Sequence, residues 1–152
     1  MITFTLLRPE HLDGMTAVEN LCFHDPWSRS AFAAELENRA AVYLVAVEED
    51  TNRVVGYAGM WLMVDMANIT NVAVHPAWRR LGMARQMLTL LMKIAEEQGM
   101  EGITLEVRAS NHSAQALYAA LGFTALGRRK GYYQDREDAV IMTKMYIKDG
   151  GE

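Results

Sequence analysis

The sequence has almost no cysteine and no long apolar segment. Cys22 is the one cysteine among 152 residues and cannot form an internal disulfide, which is typical of proteins from a reducing compartment. The longest unbroken apolar run, 40–47, is far shorter than the roughly 20 residues that a membrane-spanning helix needs. The chain does not start with a basic segment and an apolar stretch, so we expect no signal peptide. These features predict a cytoplasmic protein that does not bind a membrane.

The sequence also lacks an excess of positive charge, internal repeats and linker-like stretches. Its 15 Lys and Arg residues against 19 Asp and Glu residues give a net charge of −4, which argues against a general nucleic-acid binder. Four histidines are scattered without the spacing of metal ligands, so we expect no metal site. We therefore expect one domain, residues 1–148, followed by a disordered tail at 149–152, and the oligomeric state stays open.

The apolar residues that are present alternate or recur with helical periodicity along the whole chain. This patterning predicts a mixed sheet covered by helices, which is an α/β or α+β fold. Ser28 and Asn111 are natural helix N-caps, and Gly99 and Gly122 stand where helices are expected to end. We expect helices at 9–23, 28–38, 83–99 and 111–122, and strands at 2–7, 42–47, 54–63, 67–75, 103–107, 123–133 and 139–147.

Arginines crowd the start of the predicted third helix, where the helix dipole normally favours acidic residues. Small residues beside them would let a ligand approach free backbone N–H groups. We favour a phosphate-type anion site over a solvated arginine cluster. The segment has neither a Walker loop nor the three glycines of a dinucleotide fingerprint. It comprises Arg79, Arg80, Leu81, Gly82, Met83, Ala84 and Arg85.

Glu106 lies between Leu105 and Val107 in a short apolar strand, and strand alternation puts it on the same face as Arg108. A carboxylate with limited solvation is a candidate general base. The alternative is a Glu106–Arg108 neighbour pair on an open face, which would contribute little. The pattern favours neither interpretation.

Three further features each allow a structural and a functional interpretation. Tyr118 shares a helical face with Ala114 and Leu121, which favours core packing over proton donation to a leaving thiolate. Cys22 has no patterned His or Asp partner, so packing is preferred to a nucleophilic role. The pair Tyr132–Tyr133, followed by acidic residues, predicts either an acidic, aromatic-edged substrate groove or a solvated hairpin turn; those acidic residues are Asp135, Glu137 and Asp138.

These residues, in this order, resemble the GNAT family of acetyl-CoA-dependent N-acetyltransferases. The acyl-CoA motif of the family, Arg/Gln-x-x-Gly-x-Gly/Ala, matches residues 79–84, with alanine in the last place. A later pattern, Asn-x-x-Ala-x-x-x-Tyr, matches Asn111, Ala114 and Tyr118. The element order fits over roughly residues 2–147.

The resemblance implies a mixed, mostly antiparallel seven-stranded sheet with a central splayed strand pair, flanked by about four helices. It implies acetyl-CoA as the co-substrate, Glu106 as the general base and Tyr118 as the general acid. No covalent enzyme intermediate is required. The resemblance assigns cofactor binding to Val72, Ala73, Val74, Arg79, Arg80, Leu81, Gly82, Met83, Ala84, Arg85 and Asn111.

Within the family the chain most resembles RimI-type members, which acetylate the N-terminal alanine of a small-subunit ribosomal protein. Segments 26–28, 71–74, 105–111, 116–118, 132–133 and 136–139 carry this likeness. It implies that Trp27, Tyr132 and Tyr133 bind the acceptor. Two alternatives stay open: a GNAT enzyme for another amine (other protein N-termini, lysine or a small metabolite), and a non-catalytic acetyl-CoA-binding module.

Overall fold

The computed structural model describes residues 1–146, and within that range it contains seven strands and four α-helices. Short 3₁₀ turns at Pro9–His11 and Pro76–Trp78 precede α1 and α3. The strands are β1 (Ile2–Leu6), β2 (Ala41–Glu48), β3 (Arg53–Leu62), β4 (Met66–Val74), β5 (Gly102–Arg108), β6 (Thr124–Arg129) and β7 (Ala139–Met145). The helices are α1 (Leu12–Cys22), α2 (Arg29–Leu36), α3 (Met83–Glu97) and α4 (His112–Ala120).

The strands form a sheet in the order β1-β2-β3-β4-β5-β7-β6. Antiparallel pairing joins β1 to β2, β2 to β3, β5 to β7 and β6 to β7. Parallel pairing joins β4 to β5, over the register Met66↔Gly102 to Asn68↔Thr104. The prediction of a mixed, mostly antiparallel seven-stranded sheet with four helices is confirmed.

The chain divides into two compact units, of which the first comprises Met1–Trp61 and Thr70–Leu91. Its core is built on α1, α2, β2 and β3, with Met15, Phe32 and Tyr57 fully buried. The Ser28 hydroxyl accepts a hydrogen bond from the backbone N–H of Ala31 at 3.1 Å, so α2 begins where the sequence predicts.

The second unit comprises Leu62–Ile69 and the described chain from Met92 onward. β7 lies between β5 and β6 and pairs with both. The Asn111 side chain accepts from Ala114 N–H at 3.1 Å and caps α4, and Gly122, with φ of +99°, follows the end of that helix. Both helix boundaries agree with the prediction from the sequence.

The sequence prediction is wrong at the end of the sixth strand, which was expected to reach residue 133 but ends at Arg129. Residues 130–138 form a turn instead. Gly131 and Arg136 adopt positive φ there, and Asp138 accepts the Gly131 N–H at 3.0 Å, so the turn replaces the strand ladder. The expected strand end at 147, the domain limit at 148 and the tail at 149–152 lie outside the described residues.

No helix within residues 1–146 is long and apolar enough to cross a membrane.

Gly59 is the glycine of the first unit at which an added Cβ would have least room. It pairs directly with Tyr43 across β2 and β3, and a Cβ atom added there would lie 2.2 Å from the tyrosine ring. The ring is buried, and its hydroxyl is bound to Glu35 at 2.9 Å, so it has little freedom to move aside.

We expect Gly59→Ala to lower the free energy of unfolding by about 2 kcal/mol, because an overpacked core must strain or shift. Gly127→Ala is the matched control, since a Cβ at that exposed position meets no heavy atom within 4 Å. Urea denaturation of both variants checks this, with the control expected within about 0.5 kcal/mol of the parent chain. Equal midpoints for the two variants would contradict the packing argument.

Candidate active site

The end of β4 and the turn after it hold the first group of predicted site residues. Ala73 is buried, and Val72 and Val74 are half-buried. The Val74 carbonyl accepts from the Arg79 guanidinium at 3.1 Å and from the Cys22 thiol at 3.4 Å. Arg79 is therefore tied to the backbone of β4 at its Nε and to Cys22 Sγ at its Nη2, 3.4 Å away.

The segment before α3 carries the remaining arginines. Arg80 and Gly82 both have positive φ, +67° and +79°, and a Cβ at Gly82 would meet open space. Arg80, Leu81 and Arg85 are exposed, Ala84 is half-buried, and Met83 is buried where α3 begins. Arg80 and Arg85 are thus exposed near this turn, where an anion can approach them.

Glu106 lies on β5 between two buried neighbours, with 17% of its side chain exposed. Its Oε2 atom is 3.6 Å from Nε of Arg129, on β6. The alternative of a Glu106–Arg108 pair is wrong, because Arg108 donates to Asp135 and Glu137, each at 2.9 Å. The carboxylate thus faces an arginine from another strand.

Arg108 organises the turn between β6 and β7. The second carboxylate oxygen of Glu137 accepts the Ser110 backbone N–H at 2.8 Å. Hydrogen bonds from Ser110 and Arg108 lower the pKa of Glu137, and the Glu137 backbone N–H and Arg108 lower the pKa of Asp135. Asp135 and Glu137 therefore hold the turn through internal contacts.

The aromatic residues predicted to bind an acceptor lie on loops. The Arg108 guanidinium stacks 4.1 Å from the Tyr133 ring centre, and Tyr132 packs edge-on against Tyr133 at 5.1 Å. Burial raises the pKa of Tyr133 to about 12. In the first unit, Trp27 packs 5.4 Å from Phe32.

Two buried carboxylates of the first unit accept hydrogen bonds in its core, and one of them, Glu19, holds the backbone at Trp27. Glu19 accepts the Trp27 backbone N–H at 2.9 Å and also the Tyr57 hydroxyl. Glu35 accepts from Trp61 Nε1 at 2.6 Å and from the Tyr43 hydroxyl. Burial, followed by these hydrogen bonds and charges, raises the pKa of both tyrosines. The segment carrying Trp27 is therefore fixed by its backbone as well as by its ring.

Tyr118 lies on α4, half-buried, with its ring 5.8 Å from Phe123 in an edge-on arrangement. Burial raises the pKa of Tyr118 to about 12, so the phenol keeps its proton at neutral pH. The ring thus packs against a residue beyond the end of α4, and the hydroxyl remains a proton-carrying group.

The structure adds residues that the sequence reasoning missed. Arg129 was not singled out as a partner of Glu106, and Arg108 was not expected to bind Asp135 and Glu137 and to stack on Tyr133. The basic run at 128–130, one residue before Tyr132, was the available signal, but its meaning depends on strand register. Among the described residues, no group of three or more His, Cys, Asp or Glu side chains is arranged to hold a metal ion.

Comparisons with known proteins give the family of this chain. Residues 12–123 match the model of the Acetyltransferase (GNAT) family. A Bacillus subtilis (strain 168) protein, named provisionally as a ribosomal protein bS18-alanine N-acetyltransferase, is 39% identical over 138 residues, which is 90% of each chain. The Escherichia coli (strain K12) ribosomal protein bS18-alanine N-acetyltransferase is 34% identical over 145 residues, 93% of this chain and 96% of that one.

Solved structures of acetyltransferases share the fold of this chain. The crystal structure of the ribosomal-protein-S18-alanine N-acetyltransferase from Escherichia coli matches with a TM-score of 0.89 and 32% identity, covering 100% of this chain and 98% of that chain. Arabidopsis thaliana NAA60 in complex with acetyl-CoA has a TM-score of 0.86 at 17% identity, covering 95% and 98%, and shares the fold. The chain belongs to the GNAT acetyltransferase family.

Proposed function

We propose that this protein transfers the acetyl group of acetyl-CoA to the N-terminal alanine of a small-subunit ribosomal protein. The observation that carries the proposal is the 34% identity, over 93% of the chain and 96% of the relative, to the Escherichia coli enzyme named for that reaction. The net charge of −4 favours encounter with a basic ribosomal protein. The proposed setting is the cytoplasm, in a single acetyltransferase domain.

The cofactor-binding role is assigned to two backbone segments of the first unit. Backbone groups of Val72, Ala73 and Val74 bind the acetyl group and pantetheine, and an N–H from this strand stabilises the oxyanion that develops on the thioester carbonyl. The pyrophosphate is bound by segment 79–85, where Arg80 and Arg85 are exposed and Gly82 leaves open space. In the second unit, Asn111 contacts the cofactor at the start of α4.

Glu106 is proposed as the general base. An α-amine has a pKa near 8, so at neutral pH it arrives as an ammonium and must lose a proton before it attacks. Glu106 accepts that proton directly or through one water. Trp27, Tyr132 and Tyr133 bind the acceptor, and Arg108 holds Tyr133 in place by stacking on its ring.

Tyr118 is proposed as the general acid for the departing thiolate. The C–N bond forms as the C–S bond breaks, and the phenol donates its proton to sulfur. One ammonium proton leaves for solvent through Glu106, and the second proton, lost from nitrogen once the C–N bond has formed, restores through solvent the proton that Tyr118 gave to sulfur. A pKa of about 12 keeps Tyr118 protonated and ready for this step over the physiological range.

We expect Glu106→Gln to lower kcat/KM by about 10²–10⁴, the usual contribution of a general base, with little change in the KM for acetyl-CoA. Glu101→Gln is the matched control, because that exposed carboxylate lies immediately before the same strand. Steady-state kinetics and thermal denaturation of both variants give the measurement. A Glu106→Gln enzyme with unaltered turnover would remove Glu106 from the chemistry.

The acceptor is tested with a panel of short peptides and acetyl-CoA, followed by mass spectrometry. The panel holds the N-terminal peptide of bS18 from the same organism, Met-, Ser- and Gly-starting versions of it, and an N-terminally blocked version with an internal lysine. Acetylation is expected on the alanine-starting peptide. Equal transfer to all free N-termini, transfer to the lysine, or binding of acetyl-CoA without any transfer would replace the proposed substrate by one of the open alternatives.

A further inference from the structure

The register of three strands brings Arg129 to Glu106. Glu106 on β5 and Gly127 on β6 both pair with Ile141 of β7, and in the next row Arg108 and Arg129 both pair with Ala139. Residues paired in register share a face of the sheet. Gly127 and Ala139 have no side-chain atoms beyond Cβ, so neither fills the space between the outer strands.

The Arg129 side chain crosses β7 on this face. It reaches Glu106 from two strands away, and Nε lies 3.6 Å from Oε2 of the carboxylate. The Arg129 side chain remains 58% exposed, and its guanidinium carbon lies 5.8 Å from the ring centre of Tyr132. Arg129 therefore presents a partly solvated positive charge beside the carboxylate proposed as the base.

Of the other ionisable groups near Glu106, Arg108 is engaged and two tyrosines are neutral. Arg108, on the same strand as Glu106, is bound by Asp135 and Glu137. Burial keeps the Tyr133 and Tyr118 hydroxyls protonated, with pKa values of about 12. Among the described groups of this second unit, Arg129 is thus the cation that pairs with Glu106.

We propose that Arg129 promotes loss of the proton from the acceptor's bound α-ammonium at Glu106. This inference rests on the proposed role of Glu106 as the base. An ammonium bound at Glu106 shares one carboxylate with the Arg129 guanidinium. The two like charges repel, which destabilises the ammonium and leaves the neutral amine unaffected. The proton passes from nitrogen to a Glu106 oxygen and on to solvent, and the freed lone pair attacks the thioester.

The shift in the protonation midpoint of the bound amine depends on the distance between the amine and Arg129 and on how strongly solvent screens the Arg129 charge. The amine, in contact with Glu106 or one water away, lies roughly 4–7 Å from the guanidinium. A unit charge at that distance in a partly solvated site shifts the protonation midpoint of the bound amine by about 0.5–1 pH unit. Because Arg129 is largely exposed, the shift should shrink at high salt.

The test is the pH dependence of single-turnover acetyl transfer at saturating acetyl-CoA and saturating alanine-starting peptide. This rate reports ionisations in the enzyme–substrate complex, whereas kcat/KM reports those of the free enzyme and free peptide. In Arg129→Gln the acidic limb of the single-turnover profile should move about 0.5–1 pH unit upward. The acidic limb of kcat/KM should stay in place, and the rate at high pH should approach that of the parent.

Arg128→Gln is the matched control. Arg128 pairs with Val140, one position along from Ala139 and hence on the opposite face, and binds Asp138 at 3.5 Å. Its single-turnover profile should superimpose on that of the parent chain. Arg129→Lys keeps the charge and should restore most of the shift, which a purely structural role of the guanidinium would not predict.

Different failures point to different conclusions. If the parent chain acetylates the peptide but the profiles of Arg129→Gln and the parent coincide, Arg129 has no effect on the amine and the inference is wrong. A uniform loss of rate at every pH, or an equal shift in Arg128→Gln, would also overturn it. If the parent transfers no acetyl group to any peptide, the proposed function itself fails.

Discussion

The position of β7 between β5 and β6 is the constraint on which the candidate site depends. Because β7 pairs on both sides, one register fixes which residues of the two outer strands share a row. That register puts Glu106 and Arg129 on the same face, in adjacent rows on either side of β7. Shifting either ladder by one residue would turn the side chains of the shifted strand to the other face.

The turn between β6 and β7 is held by ion pairs to Arg108, which lies on the same face of the sheet as Glu106. Arg108, two residues beyond Glu106, takes up both Asp135 and Glu137 and stacks on Tyr133. An exposed ion pair contributes little alone, but one guanidinium holding two carboxylates and a ring defines the shape of a turn. The position of Arg108 on β5 therefore also fixes the loop that carries Tyr132 and Tyr133.

In the first unit, the loop that carries Trp27 is held by a hydrogen bond to a buried carboxylate. Glu19 and Glu35 are buried, and they accept hydrogen bonds from neutral donors: two tyrosine hydroxyls, an indole and the backbone N–H of Trp27. Such bonds satisfy the carboxylate oxygens in a site that water does not reach. The segment before α2 is therefore anchored to the core of that unit.

Local sequence patterns predicted the elements, the caps at Ser28 and Asn111 and the mixed sheet, because periodicity and capping depend on neighbouring residues. These patterns did not predict the contacts between residues that are far apart in the sequence. The strand expected to reach 133 stops at Arg129 because the Asp138 side chain accepts the Gly131 N–H and the Glu137 carbonyl accepts the Tyr133 N–H, which closes a turn. Alternation put Glu106 and Arg108 on one face, but the partner of each charge comes from another strand or from the turn.

The most direct test of the account is a crystal structure with a bisubstrate conjugate, in which CoA is joined through the acetyl group to the α-nitrogen of an alanine-starting peptide. The account predicts that this nitrogen lies within hydrogen-bond reach of the Glu106 carboxylate or one water from it, on the face that Arg129 shares. A nitrogen bound on the opposite face, or farther from Glu106 than one bridging water allows, would contradict it.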